Sequence, residues 1–181
     1  DLYNLFRTLE GKEDLKFNRV VSESSDNLEL VYVGILYGGM RDITPVFYAL
    51  KELEQEGKIN TRKIRFNYAG TEFCNLLKQA ESYGLADIVV NHGVLPREEC
   101  LKLQFSSDLL VLATWNDKKE YGVFPGKLLE YMLIGKPILT TVTGDVPNSE
   151  VSAVIGEGDL GVVYEVVNHN EDIKKLKDYL K

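Results

Sequence analysis

The chain has 181 residues, a formal net charge of -7 at pH 7, 44% hydrophobic residues and 27% charged residues, which is the composition of one globular domain with a buried core. The acidic balance argues against nucleic-acid binding through a basic face. The two cysteines and two histidines have no metal-ligand spacing, and no apolar stretch is long enough to span a membrane.

The first part of the chain, residues 1–27, is polar and weakly patterned, and we interpret it as a linker or lead-in segment before a domain at 28–181. Apolar residues at helical spacing predict a short helix at 1–10 within it. Because the chain begins with Asp1 rather than Met, we expect it to be part of a longer protein.

From residue 28 onward, predicted strands and helices alternate. Apolar runs predict strands at 28–36, 63–69, 88–91, 108–114, 137–142 and 160–163. Apolar periodicity predicts helices at 45–56, 71–83, 96–105 and 171–180, and a short helix that ends at Gly135. Thr44 is the predicted N-cap of the first of these helices. Residues 144–158 are expected to be irregular, with one helical turn near 151–155.

This alternation predicts an α/β fold, a Rossmann-like doubly wound parallel sheet of about six strands with helices on both faces. Most predicted strands are apolar without alternation, as strands covered on both faces are. In such sheets ligands bind outside the carboxyl ends of the strands, near the point where the strand order switches. The loops that follow those ends are 37–41, 70–72, 92–95, 115–127 and 143–150.

The loop after the first strand reads Tyr-Gly-Gly-Met-Arg-Asp and leads into a helix. Gly38 and Gly39 allow close backbone approach, free N–H groups at a helix N-terminus favour an anion, and Arg41 adds a fork of donors suited to phosphate. The alternative is a plain turn with a solvated arginine.

Glu130 is a carboxylate in the middle of an otherwise apolar helix. Burying an unpaired carboxylate is costly, so the residue needs a reason to be there. It either forms an i, i+3 pair with Lys127 or accepts hydrogen bonds from the hydroxyls of a ligand.

Other polar and aromatic residues near strand ends also have two interpretations. His92 is either a satisfied or solvated histidine or a catalytic one. Trp115 either packs at the rim or stacks on a base. Lys127 either holds a phosphate or pairs with the nearby glutamate. Asp117 and Glu120 are interpreted as solvated loop charges.

The run at 122–139, GVFPGKLLEYMLIGKPIL, resembles the signature of family 4 (group 1) glycosyltransferases of the GT-B fold. The segments at 33–41, 68–70, 92–96 and 107–112 follow the same family's order. The resemblance extends from about residue 28 to the end of the chain. It implies that this chain is the C-terminal, nucleotide-sugar-binding half of such an enzyme, without the N-terminal acceptor-binding domain.

The resemblance implies roles for single residues. Glu130 matches the second glutamate of the family's E-x7-E motif, which accepts hydrogen bonds from the donor ribose. Arg41 would hold the diphosphate, Lys127 would be a further cation near the phosphates, and Gly38 and Gly39 would be loop backbone near the phosphate and the reacting centre.

Two further loops acquire roles from the resemblance. The backbone of His92, Gly93, Val94 and Leu95 would edge the base pocket. Val123, Phe124 and Pro125 would present loop N–H groups to the sugar or the diphosphate.

The chain departs from the family pattern at two positions. Gly122 stands where the family has its first glutamate, which contacts the donor sugar, and Glu120 is close by but out of register. Ile35 stands where an arginine often follows the first-strand glycine, so diphosphate binding would depend on Arg41 and Lys127. No catalytic residue is assigned.

The resemblance implies a retaining transferase that moves a sugar from a UDP- or GDP-sugar to a glycan or lipid-linked acceptor in bacterial capsule, O-antigen or envelope polysaccharide synthesis. No metal and no cofactor are expected. The enzyme would be cytoplasmic, able to associate peripherally with the membrane, and the isolated domain would show little transfer. The alternatives are a GT-B-fold sugar-nucleotide epimerase and a non-catalytic nucleotide- or protein-binding doubly wound domain.

Overall fold

A computed structural model describes residues 27–120 and 123–181. The predicted helix at 1–10 and the glycine at position 122 lie outside the described residues. Within the described ranges, none of the helices has the length and apolar character needed to cross a bilayer.

The described chain alternates strands with helices from its first element to its last. The strands are β1 (Leu28–Val33), β2 (Ile64–Ala69), β3 (Val89–Asn91), β4 (Leu109–Trp115), β5 (Ile138–Thr143) and β6 (Gly161–Glu165). The α-helices are α1 (Thr44–Gln55), α2 (Phe73–Glu81), α3 (Arg97–Ser106), α4 (Gly126–Ile134), α5 (Glu150–Glu157) and α6 (His169–Tyr179). Short 3₁₀ turns lie at Tyr37–Gly39, Thr61–Lys63, Ala86–Ile88 and Val166–Asn168.

All strands pair in parallel, in the order β3-β2-β1-β4-β5-β6. The chain runs outward from β1 to β3, returns to the other side of β1 with β4, and continues to β6. The prediction of an α/β, Rossmann-like doubly wound sheet of six strands is therefore confirmed. The loops after β1 and β4 leave the sheet in opposite directions, and this switch point is where such sheets bind ligands.

Apolar side chains cover both faces of the sheet. One core cluster includes Phe47 of α1, Phe66 of β2 and Leu176 of α6. The other includes Leu128 of α4 and Ile155 of α5. Helices therefore pack on both faces, which explains why the central strands are apolar without alternation.

The structure corrects three of the predicted boundaries. β1 ends at Val33 rather than at residue 36, because the chain turns at Gly34, whose φ of 143° favours glycine. Thr44 is the first residue of α1 rather than its N-cap, and its N–H donates to the Asp42 carboxylate (2.8 Å). The segment expected to hold a single turn contains all of α5.

Gly70, directly after β2, lies against the loop that follows β1. A Cβ atom on Gly70 would lie 2.2 Å from the carbonyl oxygen of Gly34. The Gly34 N–H in turn donates to the carbonyl of Ala69 (2.9 Å). Only a residue without a side chain fits at position 70, so this glycine sets how closely the first two loops approach each other.

We therefore predict that Gly70→Ala lowers the free energy of unfolding by about 1–3 kcal/mol or more, because backbone must move to admit the methyl group. Gly156→Ala is the matched control: this glycine lies in α5 with open space around its Cβ position, and alanine there should be neutral or stabilising by up to about 1 kcal/mol. Urea denaturation of both variants measures the difference. Equal stability of the two variants would contradict the close approach.

Candidate functional site

The loops at the carboxyl edge of the sheet are joined by backbone hydrogen bonds. The Gly34 N–H donates to Ala69, the His92 N–H to Tyr68 (2.8 Å) and the Gly70 N–H to Gly93 (2.9 Å). The loops after β1, β2 and β3 therefore form one connected edge beside the switch point.

Glu72 holds the glycine loop after β1. Its Oε2 accepts hydrogen bonds from the N–H groups of Leu36 (2.5 Å) and Tyr37 (2.9 Å), and its Oε1 accepts from the N–H of Gly38 (3.0 Å). The Gly39 N–H donates to the carbonyl of Leu36 (3.1 Å). The N–H groups of Leu36, Tyr37 and Gly38 are therefore not free to bind a ligand anion, because a carboxylate of the protein already accepts them.

Neighbouring groups fix the position of Glu72 at the start of α2. The Glu72 N–H donates to the hydroxyl oxygen of Tyr68 (2.9 Å), and that hydroxyl donates to the carbonyl of Gly34 (3.1 Å). Asn75 donates to Glu72 Oε1 (3.0 Å). The backbone N–H bonds, that of Gly38 above all, hold the pKa of Glu72 below its usual value.

Arg41 is held at the switch point by aromatic rings and a carbonyl. Its guanidinium carbon lies 4.6 Å from the centre of the Tyr37 ring and 5.7 Å from that of Trp115. Nη1 donates to the carbonyl of Ile35 (3.3 Å), and Nε is buried without a hydrogen-bond partner among the described residues. Arg41 is therefore half-buried and packed against two aromatic rings rather than fully solvated.

The carbonyl of Ile35 also accepts a hydrogen bond from the Tyr32 hydroxyl (2.9 Å). Burial raises the pKa of Tyr32 to about 12, with Arg41 acting in the opposite direction. The hydroxyl therefore stays protonated at neutral pH and remains a donor to the loop.

Glu130 is 9% exposed and pairs with two cations. Its Oε1 lies 3.6 Å from Lys127 Nζ, which is the expected i, i+3 pair. Its Oε2 lies 3.1 Å from Nη2 of Arg97, the first residue of α3. The shorter of the two contacts is therefore the one that joins Glu130 to the loop after β3.

Lys127 links this pair to the loop after β1. A Cβ atom on Gly34 would lie 3.9 Å from Lys127 Cε, and Lys127 Nζ is 5.8 Å from the ring centre of Tyr131. Lys127 on α4 thus approaches Gly34. Arg41, in the loop itself, donates to the carbonyl of the next residue, Ile35. Lys127, which pairs with Glu130, and Arg41 therefore contact neighbouring positions of the loop after β1.

The other polar and aromatic residues singled out in the sequence have partners within the chain. His92 Nε2 is 2.9 Å from the side-chain oxygen of Asn67, which makes it a satisfied histidine. Trp115 Nε1 donates to Glu120 (2.6 Å), and Asp117 accepts the N–H of Glu120 (2.9 Å). Trp115 packs at the rim against Tyr37, with ring centres 5.9 Å apart, and neither carboxylate is simply solvated.

The remaining predicted site residues line the same edge. Val94 is 73% exposed and lies in the loop with Gly93 and Leu95. Phe124 is exposed, and the carbonyl of Val123 accepts from Thr114 Oγ1 (3.4 Å). Pro125 is the N-cap of α4. As a proline it has no N–H, so the expectation that it presents one was wrong.

Arg97 and Glu72 are site residues that the sequence interpretation missed. Arg97 follows Pro96 at the start of a helix, and no local pattern connects it with Glu130 on another helix. Glu72 closes a loop after a strand, and nothing local indicates that it turns toward the loop after β1. Within 27–120 and 123–181, no group of three His, Cys, Asp or Glu side chains could hold a metal ion.

The contacts of Glu72 predict a pH-dependent contribution to stability. Because its folded pKa is lowered, the ionised carboxylate stabilises the fold fully above the unfolded pKa of about 4.3, and this contribution is lost as the pH falls through the folded pKa. Glu72→Gln should lower the free energy of unfolding by about 1–3 kcal/mol at about pH 7, because an amide NH₂ then faces loop N–H donors.

Urea denaturation from about pH 7 down to about pH 3 measures this difference, and it should shrink at the acid end. Glu81→Gln, at the exposed far end of α2, is the control and should change little at any pH. A Glu72→Gln difference that is absent, or that stays constant down to about pH 3, would show that the loop does not depend on this carboxylate.

Solved structures and a protein-family model relate the chain to known proteins. The chain is similar in structure to WaaG, a glycosyltransferase involved in lipopolysaccharide biosynthesis, with a TM-score of 0.59, 18% identity, 90% of this chain and 39% of that chain covered. The chain is also similar in structure to the lipopolysaccharide outer core galactosyltransferase WaaB in its apo form, with a TM-score of 0.56 and 17% identity. This match covers 85% of this chain and 39% of that chain. No curated protein sequence matches.

A further similar structure is a TarM variant from S. aureus in complex with fondaparinux, α-GlcNAc-glycerol and UDP, with a TM-score of 0.56, 14% identity, 86% of this chain and 29% of that chain covered. At these identities the likeness shows the fold, and the chain spans less than half the length of each of these structures. The family model described as "Glycosyl transferases group 1" matches residues 27–180. Because this match covers most of the chain, the protein belongs to the group 1 glycosyl transferases.

Proposed function

We propose that this chain is the donor-binding domain of a retaining, family 4-like glycosyltransferase that takes a sugar from a UDP- or GDP-sugar. The observation that carries the proposal is the Glu130 carboxylate held beside Lys127 and the loop after β1, at the switch point of a doubly wound sheet. Group 1 membership and the UDP found in a similar structure support a nucleotide-sugar donor.

Glu130 would bind the ribose of the donor. Each carboxylate oxygen has two lone pairs, so the contacts with Arg97 and Lys127 leave acceptor capacity for two vicinal hydroxyls. The low exposure of Glu130 increases the value of such charged hydrogen bonds.

Arg41 and Lys127 would bind the diphosphate. The Nε of Arg41 is buried without a hydrogen-bond partner among the described residues, and Lys127 approaches the same stretch of loop from α4. During transfer these cations would stabilise the charge that develops on the departing diphosphate, and no metal would be needed for that task.

Three loops at the carboxyl edge of the sheet would contact the other parts of the donor. The backbone of His92, Gly93, Val94 and Leu95 would edge the base, while Val123 and Phe124 would present loop N–H groups to the sugar or the diphosphate. Gly38 and Gly39 would lie near the phosphate as backbone that permits close approach, since the N–H of Gly38 is already donated to Glu72.

The acceptor and the cellular location of the enzyme are also proposed here. The acceptor would be a glycan or a lipid-linked saccharide of the bacterial envelope, bound by an N-terminal domain. The enzyme would act in the cytoplasm, with peripheral association at the membrane, and this domain alone would bind nucleotide and transfer little sugar.

Calorimetric titration of the chain with UDP and with GDP tests the proposal. We predict saturable binding of one nucleotide, and binding weakened about tenfold or more by Glu130→Ala, which corresponds to about 1.4 kcal/mol, the scale of a charged hydrogen bond. Glu157→Ala, an exposed glutamate at the far end of α5, is the control and should bind as the unchanged chain does.

Circular dichroism and thermal unfolding must show that each variant is folded. Nucleotide binding by a folded Glu130→Ala variant with unchanged affinity would instead favour a non-catalytic nucleotide-binding domain. If the folded chain binds neither UDP nor GDP, the donor-site assignment is wrong for this chain.

A further inference from the structure

We infer that Arg97 is a positioning residue for ribose recognition: it holds the Glu130 carboxylate so that Oε1, which has only the looser contact with Lys127, can accept hydrogen bonds from the ribose hydroxyls. This inference rests on the proposed function. It starts from an ion pair between two residues far apart in sequence, one at the start of α3 and one in the middle of α4.

The two cations beside Glu130 differ in how tightly they contact it. Arg97 Nη2 lies 3.1 Å from Oε2, which makes Arg97 the closer ion-pair partner of Glu130. Lys127 Nζ lies 3.6 Å from Oε1, so this contact is a looser charge interaction. Arg97 is therefore the cation that approaches the carboxylate more closely.

The chemistry of arginine suits this task. A planar guanidinium fixes both the direction and the plane of a carboxylate contact, whereas an ammonium is a point charge on a flexible stem. Oε2 is paired with Arg97, and Oε1 is paired with Lys127, whose side chain also approaches Gly34 in the loop after β1. The oxygen with the weaker protein contact is thus the one paired with Lys127.

The place of Arg97 in the chain joins two parts of the proposed site. Arg97 directly follows the loop of residues 92–96, which would edge the base, and it contacts the carboxylate that would bind the ribose. Movement of that loop would therefore shift the Glu130 carboxylate, so binding of the base and of the ribose would be coupled through this residue.

The test compares ligands that differ only in the ribose hydroxyls. We predict that Arg97→Ala weakens UDP binding about three- to tenfold, while binding of 2′,3′-dideoxy-UDP changes less than about twofold, because that ligand has no hydroxyl for Glu130 to accept from. If GDP is the nucleotide that binds, GDP and 2′,3′-dideoxy-GDP replace UDP and 2′,3′-dideoxy-UDP in this test. Arg97→Lys should recover part of the loss.

Lys102→Ala is the matched control. Lys102 lies on the same helix, its side chain is 57% exposed against 58% for Arg97, and it pairs with Glu98 and Glu99 rather than with Glu130. It should leave the affinities for both ligands unchanged. This control separates the specific contact from a general loss of positive charge on α3.

Two results would overturn the inference while leaving the proposed function intact. An equal loss of affinity for both ligands in Arg97→Ala would show that Arg97 contacts the base or the phosphates, or only supports the fold. Unchanged affinity for UDP would show that Lys127 alone is sufficient to hold Glu130. If Glu130→Ala itself fails to distinguish UDP from its dideoxy analogue, the ribose assignment fails, and the inference about Arg97 fails with it.

Discussion

Glu130 lies on an apolar helix with 9% of its surface exposed, and burying a carboxylate without cationic partners would be costly. Arg97 and Lys127 supply them, from the start of α3 and from the same helix. The ion pair with Arg97 joins the start of α3, directly after the loop that follows β3, to the helix after β4. The arrangement of the candidate site depends on that pairing.

A second carboxylate, that of Glu72, holds the loop after β1 in place. Glu72 accepts three consecutive backbone N–H groups, while Gly70 lets the backbone of two loops approach closely. These three N–H groups are therefore not available to a ligand. In the proposed site, an anion would contact Arg41 and Lys127 rather than this stretch of backbone.

The sequence predicted the architecture well because the architecture is encoded locally. Apolar runs, Gly135 after the last helical residue of α4, and the alternation of strands and helices are all short-range signals. Residues 144–158 were harder to predict, since Gly156 and Gly158 weaken the helical pattern, and only the capping by Ser149 and the packing of Ile155 establish α5.

The long-range contacts of the site could not be predicted in the same way. Lys127 and Glu130 are three residues apart on one helix, so the sequence predicts their ion pair. Glu72 and Arg97 meet their partners only after the chain has folded, and no spacing rule connects residues in different loops. Their roles depend on which loops the parallel sheet places side by side.

The internal carboxylate at the glycine loop also has a consequence for the energetics of recognition. A loop that waits for a ligand to order it loses conformational entropy when the ligand arrives, and this loss weakens binding. Here that loss occurs during folding, because Glu72 already fixes the backbone of residues 36–38. Nucleotide association should then involve little rearrangement of this loop, and its affinity should reflect the direct contacts of the cations and of Glu130.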